Sequence, residues 1–449
     1  MDLGQALAAI GPTAGTENFE TVSRALDPRW IRSVLEATGT ASVRRRKLPA
    51  EHAIWTVIGM ALFRDQPIRA VVHHLDLVLP PSKSGTVPGS VTGSAVLQAR
   101  DRLGAAPLAQ LFELTASRWA RASADKHRWR GLAVYGVDGT ALRIPDTPEN
   151  ERDFGRPGTG RGVAGYPQLR MVGLMVLRSH LLAGLSIGAW TTGEITLAES
   201  LWEKVPDQSV TILDRGFLSY ALLYRLHATG TERHWLIRAK ANLKWRVVKK
   251  LASNDSLIEI TVPRSLRRNS PDLPETLQVR TVRYRRRGFR PKTLLTSLLD
   301  SKAYPASELA TLYHERWELE LGFDEIKTHT LEREEALRSR APERVLQEVG
   351  GLAIAYNLVR LHMEHVAESA GLPPVRISFR GSLMQLRYFS NHGLGHLARN
   401  PTPHARTPAS RSRAADPPAT TQPPVSTCRE NQNEQLPTEC WTQCGLLLN

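Results

Sequence analysis

Tyr313-His-Glu-Arg316-Trp-Glu-Leu-Glu320-Leu-Gly-Phe-Asp-Glu-Ile-Lys327 is the stretch on which the reading of this chain turns. The segment from Leu309 to Leu331 has the length and composition of a helix, with Pro305 just ahead of it as a starter. At about 100° per residue, with Tyr313 set to zero, Arg316 falls at about −60°, Glu320 at about −20° and Lys327 at about −40°. Four different polar side chains thus share one arc. Leu312, Leu319, Phe323 and Ile326 form an adjacent apolar stripe that would seat the helix on a core. Glu315, Glu318 and Glu325 fall on the opposite side and read as a plain solvated face, while Asp324 is a competing carboxylate near the polar arc. A carboxylate held among a phenol, a guanidinium and an ammonium suits a divalent ion beside a phosphate backbone. Ordinary surface charges would give a similar pattern, so the choice rests on the rest of the chain.

The 449 residues suffice for two or three domains, and 41% hydrophobic residues is an ordinary globular share. A formal net charge of +15 points to a polyanionic partner, with nucleic acid the natural candidate. Between Lys244 and Lys292 there are 14 Lys/Arg against 4 Asp/Glu, so two-thirds of the surplus sits in one segment. The three cysteines, Cys428, Cys440 and Cys444, all lie in the last 22 residues, which leaves the body without a disulfide framework or a cysteine zinc site. No signal peptide opens the chain. The most apolar run, Met171 to Trp190, is broken by Arg178-Ser-His180 and reads as a hairpin, not a membrane span. A cytoplasmic protein is expected.

Residues 1–125 read as a helical N-terminal domain: Pro49–Phe63, Ile68–Leu79, Ser94–Leu103 and Leu108–Trp119 carry apolar residues at helical spacing. With the basic run Arg44-Arg-Arg-Lys47, this unit is a plausible DNA-end reader. Residues 126–240 change to strands. Leu132–Val137 ends in Asp138-Gly-Thr140, Leu169–Leu177 and Leu181–Gly188 continue a meander, and Val210–Leu213 ends in Asp214-Arg-Gly-Phe217. Between them Thr196–Val205 is helical, with Thr196-x-x-Glu199 as a capping box. A helix at Ser219–Ala228 and a strand at His234–Arg238 complete an α/β order. Residues 241–300 form a β-rich basic insertion in which Lys244, Arg246, Arg283 and Arg285 surround Trp245 and Tyr284 and could track phosphates. Residues 301–392 hold the glutamate helix and C-terminal helices, and 393–449 form a Pro-rich tail read as disordered.

Asp138 and Asp214 end strands that this order makes neighbours, and Glu320 would come from a helix packed over them. Each has a plainer reading: Asp-Gly is a common turn opener, and Asp214 could be only a helix N-cap. Three converging carboxylates would repel one another unless cations sat between them. Two Mg²⁺ ions, hard cations matched to oxygen ligands, would neutralise the cluster and assist phosphodiester chemistry.

With those residues in view, the chain resembles a DDE transposase of a bacterial insertion sequence, in the insertion-sequence-four group. The hallmark of that group is Tyr, two residues, Arg, three residues, Glu, six residues, Lys, which Tyr313, Arg316, Glu320 and Lys327 match in full. Gly136-Val-Asp138-Gly-Thr140, Asp214-Arg-Gly-Phe217 and a β-rich insertion before the glutamate also match, and the likeness covers roughly residues 20–390. The resemblance implies a ribonuclease-H-like catalytic core and cut-and-paste movement of double-stranded DNA. It implies binding of terminal inverted repeats, nicking, a hairpin, and joining to target DNA. Asp138, Asp214 and Glu320 would be catalytic metal ligands for Mg²⁺, for which Mn²⁺ could substitute, and Tyr313, Arg316 and Lys327 would hold phosphates. A homodimer on the synapsed ends and association with the bacterial nucleoid are implied as well. The alternatives are a catalytically inactive DNA-binding remnant that inhibits transposition and a structure-selective nuclease without strand transfer.

Overall fold

The computed structural model describes residues 25–41, 48–75, 91–159, 162–163, 165–285, 289–332 and 336–392. The basic run Arg44-Arg-Arg-Lys47, the cysteines and the Pro-rich tail lie outside these residues. Among the described residues five helices come first: α1 (Pro28–Ala37), α2 (Ala50–Leu62), α3 (Ile68–His74), α4 (Gly93–Leu103) and α5 (Ala106–Lys126). Their ends follow local chemistry. The Asp27 carboxylate accepts from the Arg29 backbone N–H at 2.8 Å ahead of Pro28, and the Thr92 hydroxyl accepts from Ala95 N–H at 3.2 Å. Gly104, at φ 68°, ends α4 in a conformation that favours glycine.

Strands and helices then alternate: β1 (Ala133–Arg143), α6 (Pro148–Phe154), the short pair β2 (Gly158–Thr159) and β3 (Gly162–Val163), β4 (Gln168–Val176), β5 (Leu182–Ala189), α7 (Glu194–Glu199), β6 (Ser209–Leu213), α8 (Tyr220–Ala228) and β7 (Arg233–Arg238). Next come β8 (Arg246–Ala252), β9 (Asp255–Thr261), α9 (Arg264–Asn269), β10 (Thr276–Tyr284) and β11 (Lys292–Thr296). The described residues close with α10 (Ala306–His314), α11 (Trp317–Asp324), a π-helical segment (Glu325–Thr330), α12 (Pro342–Ala370) and α13 (Phe379–His392). Among the described residues this is a mixed α/β fold around a nine-stranded sheet in the order β5-β4-β1-β6-β7-β11-β10-β9-β8. β4 is antiparallel to both β1 and β5, whereas β1, β6 and β7 run parallel, joined by the helical crossovers that parallel pairing requires.

Alternation along β1 divides the core. Val134 packs with the N-terminal helices, α10, α11 and α12, and Ala133, Tyr135 and Val137 pack on the other face with α7 and α8. On the first face α2 and α12 are buried along nearly their whole lengths. They cross where a Cβ on Gly351 would stand 3.0 Å from the Val57 carbonyl oxygen.

Several expectations need correction. The β-rich residues 241–300 join the same sheet: β11 pairs with β7 through Leu295 and Ile237, so the four strands β8–β11 prolong it and cover the edge that β7 would otherwise expose. Arg280, one of the 14 basic residues counted between Lys244 and Lys292, does not belong to a basic face. It is fully buried, its guanidinium donates to both oxygens of Asp255 at 2.8 and 2.6 Å, and it reaches the Tyr304 carbonyl at 2.7 Å. The capping box at Thr196 does not form, because the helix starts earlier with Gly193 as N-cap and no side-chain cap. Asp138 opens no turn and ends no strand, since β1 continues to Arg143 paired with β4.

Candidate active site

The parallel pairing of β1 and β6 sets Val137 opposite Leu213, so Asp138 and Asp214 are the next residues on adjacent strands. Counting alternate positions from Val134 and Ile212, both aspartates lie on the sheet face that carries α10 and α11. Asp138 Oδ1 accepts from the Gly139 backbone N–H at 2.8 Å. Burial pushes its carboxyl up to about 6; the Gly139 hydrogen bond and the Arg316 charge oppose that rise, and Asp214 and Glu194 add to it. Asp214 does act as an N-cap, accepting from Gly216 N–H at 3.1 Å at the start of a short 3₁₀ turn, Arg215–Phe217. That bond uses Oδ2, while Oδ1 lies 4.0 Å from Arg316 Nε.

The helix expected over Leu309–Leu331 is instead three pieces. Glu315 and Arg316 bond back three residues, to Leu312 and Tyr313, and Glu318 and Leu319 do the same to Glu315 and Arg316. This tight turn separates α10 from α11. It rotates Arg316 inward, where its Nη2 donates to Glu320 Oε1 at 2.8 Å while Nε faces Asp214. Arg316 is 8% exposed. Burial lowers its pKa, but the charges of Glu320, Tyr313 and Asp214 more than offset that and leave it raised. Burial likewise raises the Tyr313 phenol.

Close approach of this helix to the sheet depends on missing side chains. A Cβ on Gly136 would lie 2.7 Å from Leu319, and one on Gly322 would lie 2.5 Å from Met175. The structure thus gathers Asp138, Asp214, Arg316, Glu320 and Tyr313. Lys327 lies further on, inside the π-helical segment, where the assumed α-helical phase no longer holds.

The three glutamates read as a solvated face are in fact anchors. Glu315 takes the Arg178 guanidinium at 2.8 and 3.0 Å. Glu318 lies 2.7 Å from His180 Nε2, and Glu325 pairs with Arg360 and accepts from Tyr356 Oη at 3.1 Å. Arg360 also bonds His180 Nδ1. A guanidinium can only donate, so Nδ1 is the acceptor and Nε2 carries the proton given to Glu318. Burial works against ionised Glu325, but the Arg360 charge holds its pKa below the ordinary carboxylate value. The signal was present in sequence as Arg178-Ser-His180 interrupting an apolar run, now seen as the turn between β4 and β5. Another carboxylate escaped notice: Glu194 stands where a side chain on Gly139 would be, 2.6 Å from the position of its Cβ.

The basic residues proposed from sequence lie on or next to β8 and β10, and Tyr284, between Arg283 and Arg285, packs edge-on against His314, the neighbour of Tyr313, with ring centroids 5.6 Å apart. Lys244 and Arg246, with Trp245, line a cleft of about 650 Å³, and Arg246 pairs with Glu259 at 2.8 Å. Arg283 and Arg285 are exposed. Among the described residues no group of three His, Cys, Asp or Glu is gathered closely enough to hold a metal ion. The oxygen chemistry of Asp138 and Asp214 fits a hard divalent cation, with Glu320 drawn aside by Arg316.

Residues 16–113 match the family described as "Insertion element 4 transposase N-terminal", and residues 129–358 match the "Transposase DDE domain". The chain is similar to the Escherichia coli (strain K12) protein "Transposase InsG for insertion sequence element IS4", with 37% identity over 385 residues and 85% of each chain covered. It is also similar to "Putative transposase InsZ" of the same organism, 34% identical over 274 residues, which is 61% of this chain and 86% of that one. A solved piggyBac transposase synaptic complex with hairpin DNA overlaps 85% of this chain and 80% of its own at 12% identity, with a TM-score of 0.40. These matches define a DDE transposase, an enzyme that cleaves and rejoins DNA phosphodiesters. Within that class the chain belongs to the insertion-sequence IS4 family. Among its described residues no helix is long and apolar enough to cross a membrane.

Proposed function

We propose that the chain moves an insertion sequence by cut-and-paste transposition, with Asp138, Asp214 and Glu320 as its catalytic carboxylates. The observation that carries this reading is the meeting of three elements: two aspartates on neighbouring parallel strands, and above them Arg316 reaching both Asp214 and Glu320. We read strands β1, β4–β7 with α10 and α11 as a ribonuclease-H-like core, preceded by a helical DNA-binding domain (1–125) and extended by the basic strands of 241–300.

Asp138 and Asp214 would hold divalent cations, Mg²⁺ by preference, with Glu320 completing the set on leaving Arg316. Bound cations would supply Lewis acidity at the scissile phosphate and offset the carboxylate repulsion. The chain's own side chains do the rest. Arg316 exchanges Glu320 for a phosphate oxygen, a bidentate match for its fork. Tyr313 keeps its proton, because burial raises its pKa, and donates a hydrogen bond to the same phosphate. Lys327 neutralises a neighbouring phosphate. The DNA 3′-hydroxyl freed by hydrolysis then attacks the opposite strand to form a hairpin, and the reopened end joins target DNA, in a homodimer that pairs the two terminal inverted repeats.

The test is a labelled duplex carrying the element end, incubated with protein and Mg²⁺ and resolved on a denaturing gel. Nicks at the repeat boundary plus hairpins, both lost in Glu320→Gln, are expected. Binding without any cleavage by the unaltered protein would overturn the enzymatic part, and cleavage persisting in Glu320→Gln would remove Glu320 from the set.

A further inference from the structure

A second basic site lies beyond the glutamate helix. Arg64, Arg338, Arg380 and Arg387 line a cleft of about 820 Å³ with Thr328 and His329, and Glu332 is the one acidic residue among its described lining. The four arginines come from three places: the end of α2, the segment before α12, and α13.

Most are held in fixed poses. Arg64 is buried and bonds Glu348 at 3.2 Å and the Ala336 carbonyl. Arg338 donates to the Gln66 carbonyl at 2.9 Å. Arg387 reaches the Leu62 carbonyl and lies 3.3 Å from Glu332. These bonds tie the helical region before residue 75 to the segment after the glutamate helix. Burial, and after it the like charge of Arg64, push the Arg338 pKa down, while Glu348, Glu332 and Asp65 oppose that fall. Arg380 is exposed on α13. Pre-organised guanidinium forks facing a wide polar cleft match phosphate diesters, which they grip in bidentate fashion.

We infer that this cleft binds the phosphate backbone of the DNA on which the enzyme acts, at a place separate from the carboxylate centre. The inference rests on the DNA reading above. Its location supports a nucleic-acid occupant over an acidic protein, because Thr328 and His329 directly follow Lys327 on the π-helical segment.

The experiment measures binding of a labelled 30-base-pair duplex, and of the same single strand, to the full-length protein in EDTA across a salt series. Arg380→Ala, on an exposed helix face, is compared with the unaltered protein and with Arg380→Lys. Loss of one phosphate contact should flatten the slope of log K against log salt by about 0.9, which corresponds to about fivefold weaker binding at 0.15 M salt. Arg380→Lys should restore most of the slope, with melting temperatures unchanged in both variants. A preferential loss on duplex assigns the cleft to the double helix, and an equal loss on both probes assigns it to the backbone of either form. If the unaltered protein binds DNA but Arg380→Ala matches it in affinity and slope, the cleft proposal fails while the DNA reading stands. If Arg380→Ala instead loses only binding of polyglutamate, the cleft belongs to an acidic protein partner and the proposal is overturned. If the unaltered protein binds neither probe, the DNA reading fails and takes this inference with it.

Discussion

Replacing Asp138 by asparagine should stabilise the metal-free protein while abolishing cleavage. The Asp138 carboxyl is pushed up to about 6 from 3.8, chiefly by burial. An acid whose folded pKa is raised costs stability when ionised. The cost is absent below the unfolded pKa, grows between 3.8 and about 6, and is complete above. A shift of about two units corresponds to about 3 kcal/mol. Asparagine keeps the acceptor for the Gly139 N–H and carries no charge. In EDTA at pH 8, Asp138→Asn should therefore gain up to about 3 kcal/mol, which for a folded body of this size is a rise of about 4 °C in Tm. At pH 5 the gain should fall to about half that, since the carboxyl is then largely protonated in the fold. Mg²⁺ should raise the Tm of the unaltered protein and leave the variant nearly unmoved. Differential scanning calorimetry at the two pH values decides the matter. A variant equally or less stable at pH 8, or a gain that does not shrink at pH 5, would refute the reasoning.

Three further outcomes follow from packing and pairing. Arg360→Met should cost about 3–5 kcal/mol in urea denaturation, because it strands a buried Glu325; adding Glu325→Gln should recover part of that, and a single-variant loss under about 1 kcal/mol would contradict the anchoring role. Gly136→Val places a side chain within 2.7 Å of Leu319 and should lift α11 from β1. Nicking should then fall at least about tenfold with duplex affinity unchanged, and a normal nicking rate would show that α11 has room to spare. Gly351→Ala should lose about 1–3 kcal/mol by overpacking against the Val57 backbone, despite alanine's helix preference of about 1 kcal/mol; a more stable variant in thermal melts would mean the α2–α12 crossing relaxes freely.

The order of strands and the helices on either side of them were legible because each element's own apolar period announces it, in β1 and β6 as in α2. The neighbouring of β1 and β6 was expected from that order, but Asp138 meets Asp214 through the register that sets Val137 opposite Leu213, not because both strands end there. What could not be read was the breaking of the glutamate helix. Its cause lies elsewhere in the chain: Arg178 and His180, at a turn some 140 residues earlier, pull Glu315 and Glu318 one way while Arg316 turns toward Asp214. A glutamate facing away from its own helix's apolar stripe looks solvated until a partner from another element covers it. The same limit hid the role of Arg280, which reads as one more arginine in a basic run until Asp255 on the neighbouring strand neutralises it. Residues 241–300 read as β-rich, but neither β11 itself nor its pairing with β7 was singled out, because edge-to-edge pairing depends on which edges remain open.

That pairing has a geometric consequence. Neighbouring strands turn relative to one another by about 20–25° in a fixed sense. From β6 to β8 there are five such steps. The strand carrying Arg246, Lys249 and Lys250 is thereby turned by about 100–125° from β6, and by one further step of about 20–25° from β1. One hydrogen-bonded ladder therefore makes a quarter-turn between its acidic middle and its basic rim. A stiff rod lying along that rim points crosswise to β1 and β6, so a single duplex following both must curve, or two separate duplexes must cross.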